Sequence, residues 1–119
     1  MLIRFKLEKE EFSEKYQERW WTYSIGSKFT FNGSTINEIT ITDHTWKKPG
    51  REKITKELIL NILQTEVNNK RFFPTDYRGK RKVFLRERIP FDNKNYKLVF
   101  WFKDGATDHL WIRLRHQQD

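Results

Sequence analysis

Three segments near the C-terminal end alternate as β-strands do, and this pattern constrains the fold more than any other feature of the chain. They cover residues 81–89, 96–103 and 108–115. Asp104-Gly105 stands between the second and third segments, and Asp-Gly is a strong signal for a tight hairpin turn. The pattern therefore predicts a three-stranded antiparallel meander.

Helical periodicity occurs in two other places. Apolar residues of segment 56–67 fall on one helical face behind Thr55, a good N-cap residue. In segment 9–21, three aromatic residues recur at every fourth position, which predicts a second amphipathic helix whose aromatic stripe packs in the core. Segments 2–7, 29–31 and 36–42 are predicted as strands. We therefore expect a single α+β domain over residues 1–119, with helices packed on an antiparallel sheet and a C-terminal three-stranded meander.

Successive residues of a strand point to opposite faces, so the meander should have two unlike faces. The aliphatic face is predicted to carry Val83, Leu85, Leu110, Ile112 and Leu114. The other face is predicted to carry Lys82, Phe84, Arg86, Arg88, His109, Trp111, Arg113 and Arg115. The sequence does not decide which residues of the middle strand lie on which face. A hairpin loop of even length puts Phe100 beside Trp111, whereas an odd loop puts Trp101 there.

The chain is basic, with 24 Lys and Arg against 16 Asp and Glu and a net charge of +8. Most of the excess comes from segments 44–56 and 70–88. Cations attract phosphates and flat rings stack on unpaired bases, so a face that carries both fits single-stranded or looped RNA. The predicted nucleic-acid-binding residues are Lys48, Arg51, Arg81, Lys82, Phe84, Arg86, Arg88, Trp111 and Arg115. The alternative is that Phe84 and Trp111 pack beneath another element.

Residues 42–59 place His44 before a basic turn with Lys48 and Arg51, followed by Ile54-Thr55 and the predicted helix. This order resembles the small toxin-like proteins of the BrnT and RelE superfamily, over residues 40–115. The resemblance implies a metal-independent endoribonuclease of a toxin–antitoxin pair. Such an enzyme would cleave mRNA or tRNA and would be neutralised by a protein antitoxin, for which an acidic protein is expected.

The implied reaction is attack of an RNA 2′-hydroxyl on the adjacent phosphate, which needs a base, an acid and cations. His44 is the candidate base, His109 the candidate acid and Arg113 the candidate cation. Lys48 and Arg51 are the candidate phosphate clamps. Two alternatives stay open: a non-catalytic nucleic-acid-binding module, and a basic interaction protein that holds an acidic partner.

Other chemistry finds little support in the residues. The chain has no cysteine and only 3 dispersed histidines, so neither a metal site nor a cofactor is expected. It contains no apolar run long enough for a membrane span, and its first residues lack a signal-peptide pattern. We therefore expect a cytoplasmic protein with no membrane partner. The oligomeric state stays open.

Overall fold

Strands dominate the structure. The computed structural model describes residues 4–43, 55–79, 81–91 and 93–116, except for the side chains of residues 91, 115 and 116. The elements in chain order are β1 (Phe5–Ser13), β2 (Glu18–Ile25), β3 (Thr30–Phe31), β4 (Ser34–Thr35), β5 (Glu38–Thr42), α1 (Lys56–Ile62), β6 (Asp76–Arg78), β7 (Arg81–Phe91), β8 (Lys94–Phe102) and β9 (His109–His116). A π-helical turn, Leu63–Val67, continues α1.

Seven strands form one mixed sheet in the order β1-β2-β5-β9-β8-β7-β6, and β3 and β4 form a separate small ribbon. Neighbouring strands of the sheet are antiparallel except β5 and β9, which are parallel. The predicted fold class, helices packed on an antiparallel sheet, is therefore wrong. The described part of the chain is β-rich, and its single helical segment lies on one face of a mixed sheet.

The predicted helix over residues 9–21 is also wrong. This segment contains most of β1, a turn and the start of β2, and the two strands pair with each other. Phe12 and Tyr16 are 55% and 54% exposed, so the aromatic stripe is not part of the core. The helical spacing of the rings was misleading because pairing of β2 with β5, which is distant in sequence, decides the local structure here.

The helix predicted over residues 56–67 is present. The Thr55 hydroxyl accepts a hydrogen bond from the Leu58 amide at 3.1 Å and so caps the first turn. Residues Ile59, Ile62, Leu63 and Val67 are buried against the sheet. The apolar face that was visible in the sequence thus becomes the cover of the core.

The C-terminal meander is formed by β7, β8 and β9, which are consecutive antiparallel neighbours. Seven residues, 103–109, separate the partners Phe102 and Leu110. The connection is therefore odd, and Trp101 rather than Phe100 lies beside Trp111. This parity decides which residues of β8 enter the core.

The core contains a cluster of phenylalanines on the same side of the sheet as α1. The Phe31 ring meets the rings of Phe84 and Phe100 edge-on, at centroid distances of 4.9 and 5.2 Å. Phe84 is 2% exposed. Its predicted place on the nucleic-acid-binding face is therefore wrong. It pairs with Phe100, and both rings point to the helix side of the sheet.

Replacement of Phe84 tests this assignment. We expect Phe84→Ala to lower the free energy of unfolding by about 3–5 kcal/mol, because it empties a fully packed site. The matched control is Phe73→Ala, since Phe73 is 92% exposed and its truncation should change stability by less than about 0.5 kcal/mol. Urea denaturation measures both. Equal losses in the two variants would contradict the assignment of Phe84 to the core.

Candidate functional site

The sheet face opposite α1, called the open face below, carries tryptophans and polar residues. On β5, Ile39 and Ile41 point to the core, so Thr40 and Thr42 point to the open face. The neighbouring strands place Trp20 and Trp111 on the same side. Residues 4–42 do not cover this face, since β1, β2 and β5 extend the sheet sideways. Part of the open face forms a groove with a volume of about 600 Å³.

Aromatic rings from β2, β9 and β8 and from the turn before β2 line the groove. Trp20 of β2 and Trp111 of β9 meet edge-on with centroids 4.9 Å apart. Tyr16 lies 6.3 Å from Trp20 at one end, and Trp101 is the cross-strand partner of Trp111 at the other. The three indoles are half-buried, so each still offers ring surface to a ligand.

Arginines flank Trp101 on both sides. The guanidinium carbons of Arg81 and Arg113 lie 5.2 and 5.5 Å from its ring centroid. These distances are within the range of cation–π attraction. Lys9, Arg78 and Lys103 also line the groove. The groove therefore combines flat apolar surfaces with a surplus of cations.

Carboxylates hold the two arginines in place. Arg81 donates two hydrogen bonds to Asp104, from Nε at 3.2 Å and from a terminal nitrogen at 2.9 Å. Hydrogen bonding to Arg81, with its charge as a second cause, lowers the pKa of Asp104. Arg113 donates to Glu18 at 3.3 Å. The paired bonds to Asp104 fix the plane of the Arg81 guanidinium, whereas Glu18 anchors one terminal nitrogen of Arg113.

Glu18 is buried, with 1% exposure. Its Oε1 accepts hydrogen bonds from Trp20 Nε1 at 2.7 Å and from Arg113 at 3.3 Å. One carboxylate therefore orients an indole and a guanidinium of the groove together. A buried charge is tolerated only when it is paired in this way.

A chain of hydrogen bonds joins Thr22, Thr40 and His109 at one end of the open face. The two hydroxyls lie 2.9 Å apart, and Thr40 Oγ1 lies 2.7 Å from His109 Nε2. His109 is 8% exposed. Burial is the largest cause that lowers the pKa of His109, with Lys103 and Lys9 acting in the same direction and Glu38 and Asp108 opposing them. The imidazole is therefore a neutral structural group near pH 7, which does not suit the predicted role of catalytic acid.

The predicted site residues are only partly brought together. Arg81, Trp111 and Arg113 lie in the groove. Phe84 is in the core, and Arg86 points to the helix side, where it binds Glu66 at 3.0 Å. Lys82 and Arg88 are exposed outside the groove, and the side chain of Arg115 is not described. His44, Lys48 and Arg51 lie outside the described residues.

Several residues of the groove were not predicted, among them Tyr16, Glu18 and Trp20. Trp101 was predicted there only for an odd loop between β8 and β9. The odd count follows from the pairing of Phe102 with Leu110, whereas six residues, 103–108, lie between the ends of the two strands, so the strand ends alone do not give the parity. The place of Trp20 depends on pairing between β2 and β5, which no local pattern reveals.

Comparison with known proteins gives no guide to this site, because no protein-family model, curated protein or solved structure matches the chain. No helix in the described part of the chain is long and apolar enough to cross a membrane. The same residues contain no group of three His, Asp or Glu side chains that could hold a metal ion. The function of this site must therefore be inferred from the geometry of the groove.

The importance of the Glu18–Arg113 ion pair can be tested by measuring the stability of a variant. We expect Arg113→Met to cost about 3–5 kcal/mol of unfolding free energy, because it removes a cation that is hydrogen-bonded to a buried carboxylate. Arg86→Met is the matched control. It breaks the Arg86–Glu66 pair, whose side chains are 42% and 35% exposed, and should cost less than about 1 kcal/mol. Chemical denaturation at pH 7 compares them, and similar losses would contradict the structural importance of Glu18.

The burial of His109 predicts how the stability of the protein depends on pH. Its pKa is lower in the folded state than in the unfolded chain, so the unfolded chain binds the proton more readily. Its stabilising contribution is then complete above the unfolded value near 6.5 and is lost as the pH falls through the folded value. We expect the stability of the wild type to fall between pH 7.5 and 5 by more than that of His109→Gln. Parallel curves from urea denaturation would contradict this.

Proposed function

We propose that the protein binds single-stranded nucleic acid, RNA above all, in the groove of the open face. The observation that carries the proposal is the row formed by Trp20, Trp111 and Trp101, with Arg81 and Arg113 against the last ring. Aromatic rings beside cations are the usual combination in single-strand binding sites. Rings stack on bases of any sequence, while cations neutralise the phosphates between them.

The indoles of the row support a single strand rather than a duplex. The row crosses four neighbouring strands, β2, β5, β9 and β8, and its three rings come from β2, β9 and β8. Such rings offer stacking surface to unpaired bases. The bases of a duplex are stacked on each other and are not free to meet the indoles.

The charge of the chain supports the same ligand. A net charge of +8 favours polyanions in general. The groove brings cations and indoles together, so the attraction for polyanions acts where bases can stack. The cations that line it are Lys9, Arg78, Arg81, Lys103 and Arg113. An acidic protein partner would use the charge but would not need the row of rings.

The endoribonuclease activity implied by the toxin resemblance stays a prediction. Its candidate base, His44, lies outside the described residues, and its candidate acid, His109, is buried. Of the described members of that set, Arg113 lines the groove and His109 does not. The described residues thus favour a binding function over a catalytic one.

Fluorescence anisotropy with a labelled 12-nucleotide RNA tests the proposal. We expect Trp101→Ala and Trp111→Ala each to weaken binding by roughly 5- to 150-fold, the equivalent of about 1–3 kcal/mol of lost stacking. The salt dependence should keep the wild-type slope, since an indole releases no counterion. Phe73→Ala is the control, because this exposed ring lies outside the groove.

Three results would overturn the proposal: no affinity of the wild type for the RNA, binding of duplex as strong as that of single strands, or unchanged affinity in both tryptophan variants. Single-stranded DNA of the same sequence measures the preference for RNA. Circular dichroism confirms that the variants are folded. A wild type that instead forms a stable complex with an acidic protein alone would favour the interaction-protein alternative.

A further inference from the structure

A second pocket adjoins the groove at one end of the sheet. It has a volume of about 510 Å³ and lies where β6 and β8 end and β7 begins, next to the turn that follows β8. Arg78, Arg81, Lys103 and Asp104 line both the groove and this pocket. A nucleic-acid strand bound in the groove would therefore continue directly into this pocket.

The chemistry of this end pocket differs from that of the groove. Among the described residues, four cations line it, namely Arg78, Arg81, Lys82 and Lys103, against the single carboxylate of Asp104. The one aromatic residue among these lining residues is Phe102, whose ring packs toward the core against Phe31 and Phe84 at centroid distances of 5.8 and 6.2 Å. The pocket thus offers positive charge without the tryptophan row on which bases would stack.

Arg81 is the group that joins the two sites. Asp104 accepts hydrogen bonds from its Nε and from one terminal nitrogen, and Trp101 packs against its guanidinium. A guanidinium has five N–H donors, so three remain after these two bonds. Arg81 is therefore held in a fixed orientation with donors still available for an anion.

We propose that the end pocket binds the terminal phosphate of a single-stranded nucleic acid whose bases lie in the groove. This inference rests on the proposed function. A terminal phosphomonoester carries more negative charge than a phosphodiester, by about half to one unit at pH 7, and has three acceptor oxygens. Such a group suits a site that is lined by these four cations beyond the last tryptophan, whereas an internal phosphodiester would need further stacking surface for the next base.

The experiment compares four RNAs that share one sequence. They are a strand with a 5′-monophosphate, one with a 3′-monophosphate, one with hydroxyls at both ends, and an unphosphorylated strand that is one nucleotide longer. The longer strand adds one phosphodiester charge and so controls for most of the added charge. We expect one of the two phosphorylated strands to bind the wild type roughly tenfold more tightly than both unphosphorylated strands.

Two variants separate the pocket from the groove. Lys82 lines the end pocket but not the groove, and it is exposed, so Lys82→Gln should fold normally. We expect Lys82→Gln to remove most of the preference for the terminal phosphate while leaving binding of the unphosphorylated strand within about twofold of wild type. Trp111→Ala should weaken the binding of all four RNAs by the same factor, so the ratios of their affinities should stay as in the wild type.

The outcomes distinguish the two proposals. Equal affinity of all four strands for the wild type would overturn the end-pocket inference and leave the groove standing. A preference that persists in Lys82→Gln and also in Lys103→Gln would overturn it as well, because the phosphate would then bind elsewhere. Failure of every strand to bind would overturn the proposed function together with this inference.

Discussion

Parallel pairing of β5 with β9 is the interaction on which the rest of the structure depends. It joins residues Glu38–Ile41 to residues His109–Ile112, and Asp108 extends it by accepting hydrogen bonds from the amides of Asn37 and Glu38. Without it, the hairpin of β1 and β2 with β5 would be a separate sheet from the C-terminal meander. A parallel pair requires a long crossover, and here the crossover contains α1, so one contact between distant segments creates both the continuous sheet and its cover.

That pairing also explains why an aromatic groove can exist on the open face. It sets Thr40 beside Trp111, while pairing with β2 sets Thr42 beside Trp20. Threonine side chains are short, so the indoles of Trp20 and Trp111 meet above β5. The buried hydroxyls of Thr22 and Thr40 bond with each other and with His109, whereas the Thr42 hydroxyl has no hydrogen-bond partner among the described residues. His109 therefore belongs to the support of the groove.

Local patterns in the sequence predicted the parts of the fold that local physics decides. The 56–67 helix follows from a capping threonine and an apolar face, and the meander follows from alternation and turn residues. The prediction of a helix for segment 9–21 failed because three rings at helical spacing are also compatible with a hairpin. Pairing with β5, which is distant in sequence, decides between helix and hairpin. The cations Arg81 and Arg113 and the ring of Trp111 were predicted in the site. Phe84 was not placed correctly, because the face of each strand in the meander depends on the length of the loop after β8 and on where α1 packs.

The groove is organised by carboxylates although its ligand would be an anion. Glu18 and Asp104 reduce the positive charge, yet Asp104 fixes the plane of Arg81 and Glu18 anchors one nitrogen of Arg113, both next to Trp101. A guanidinium that is already oriented loses little conformational entropy when a phosphate binds, whereas a free lysine must be ordered first. The structure thus gives up some long-range attraction for a rigid arrangement of rings and cations. Such an arrangement favours a ligand with alternating flat and charged groups over a ligand with charge alone.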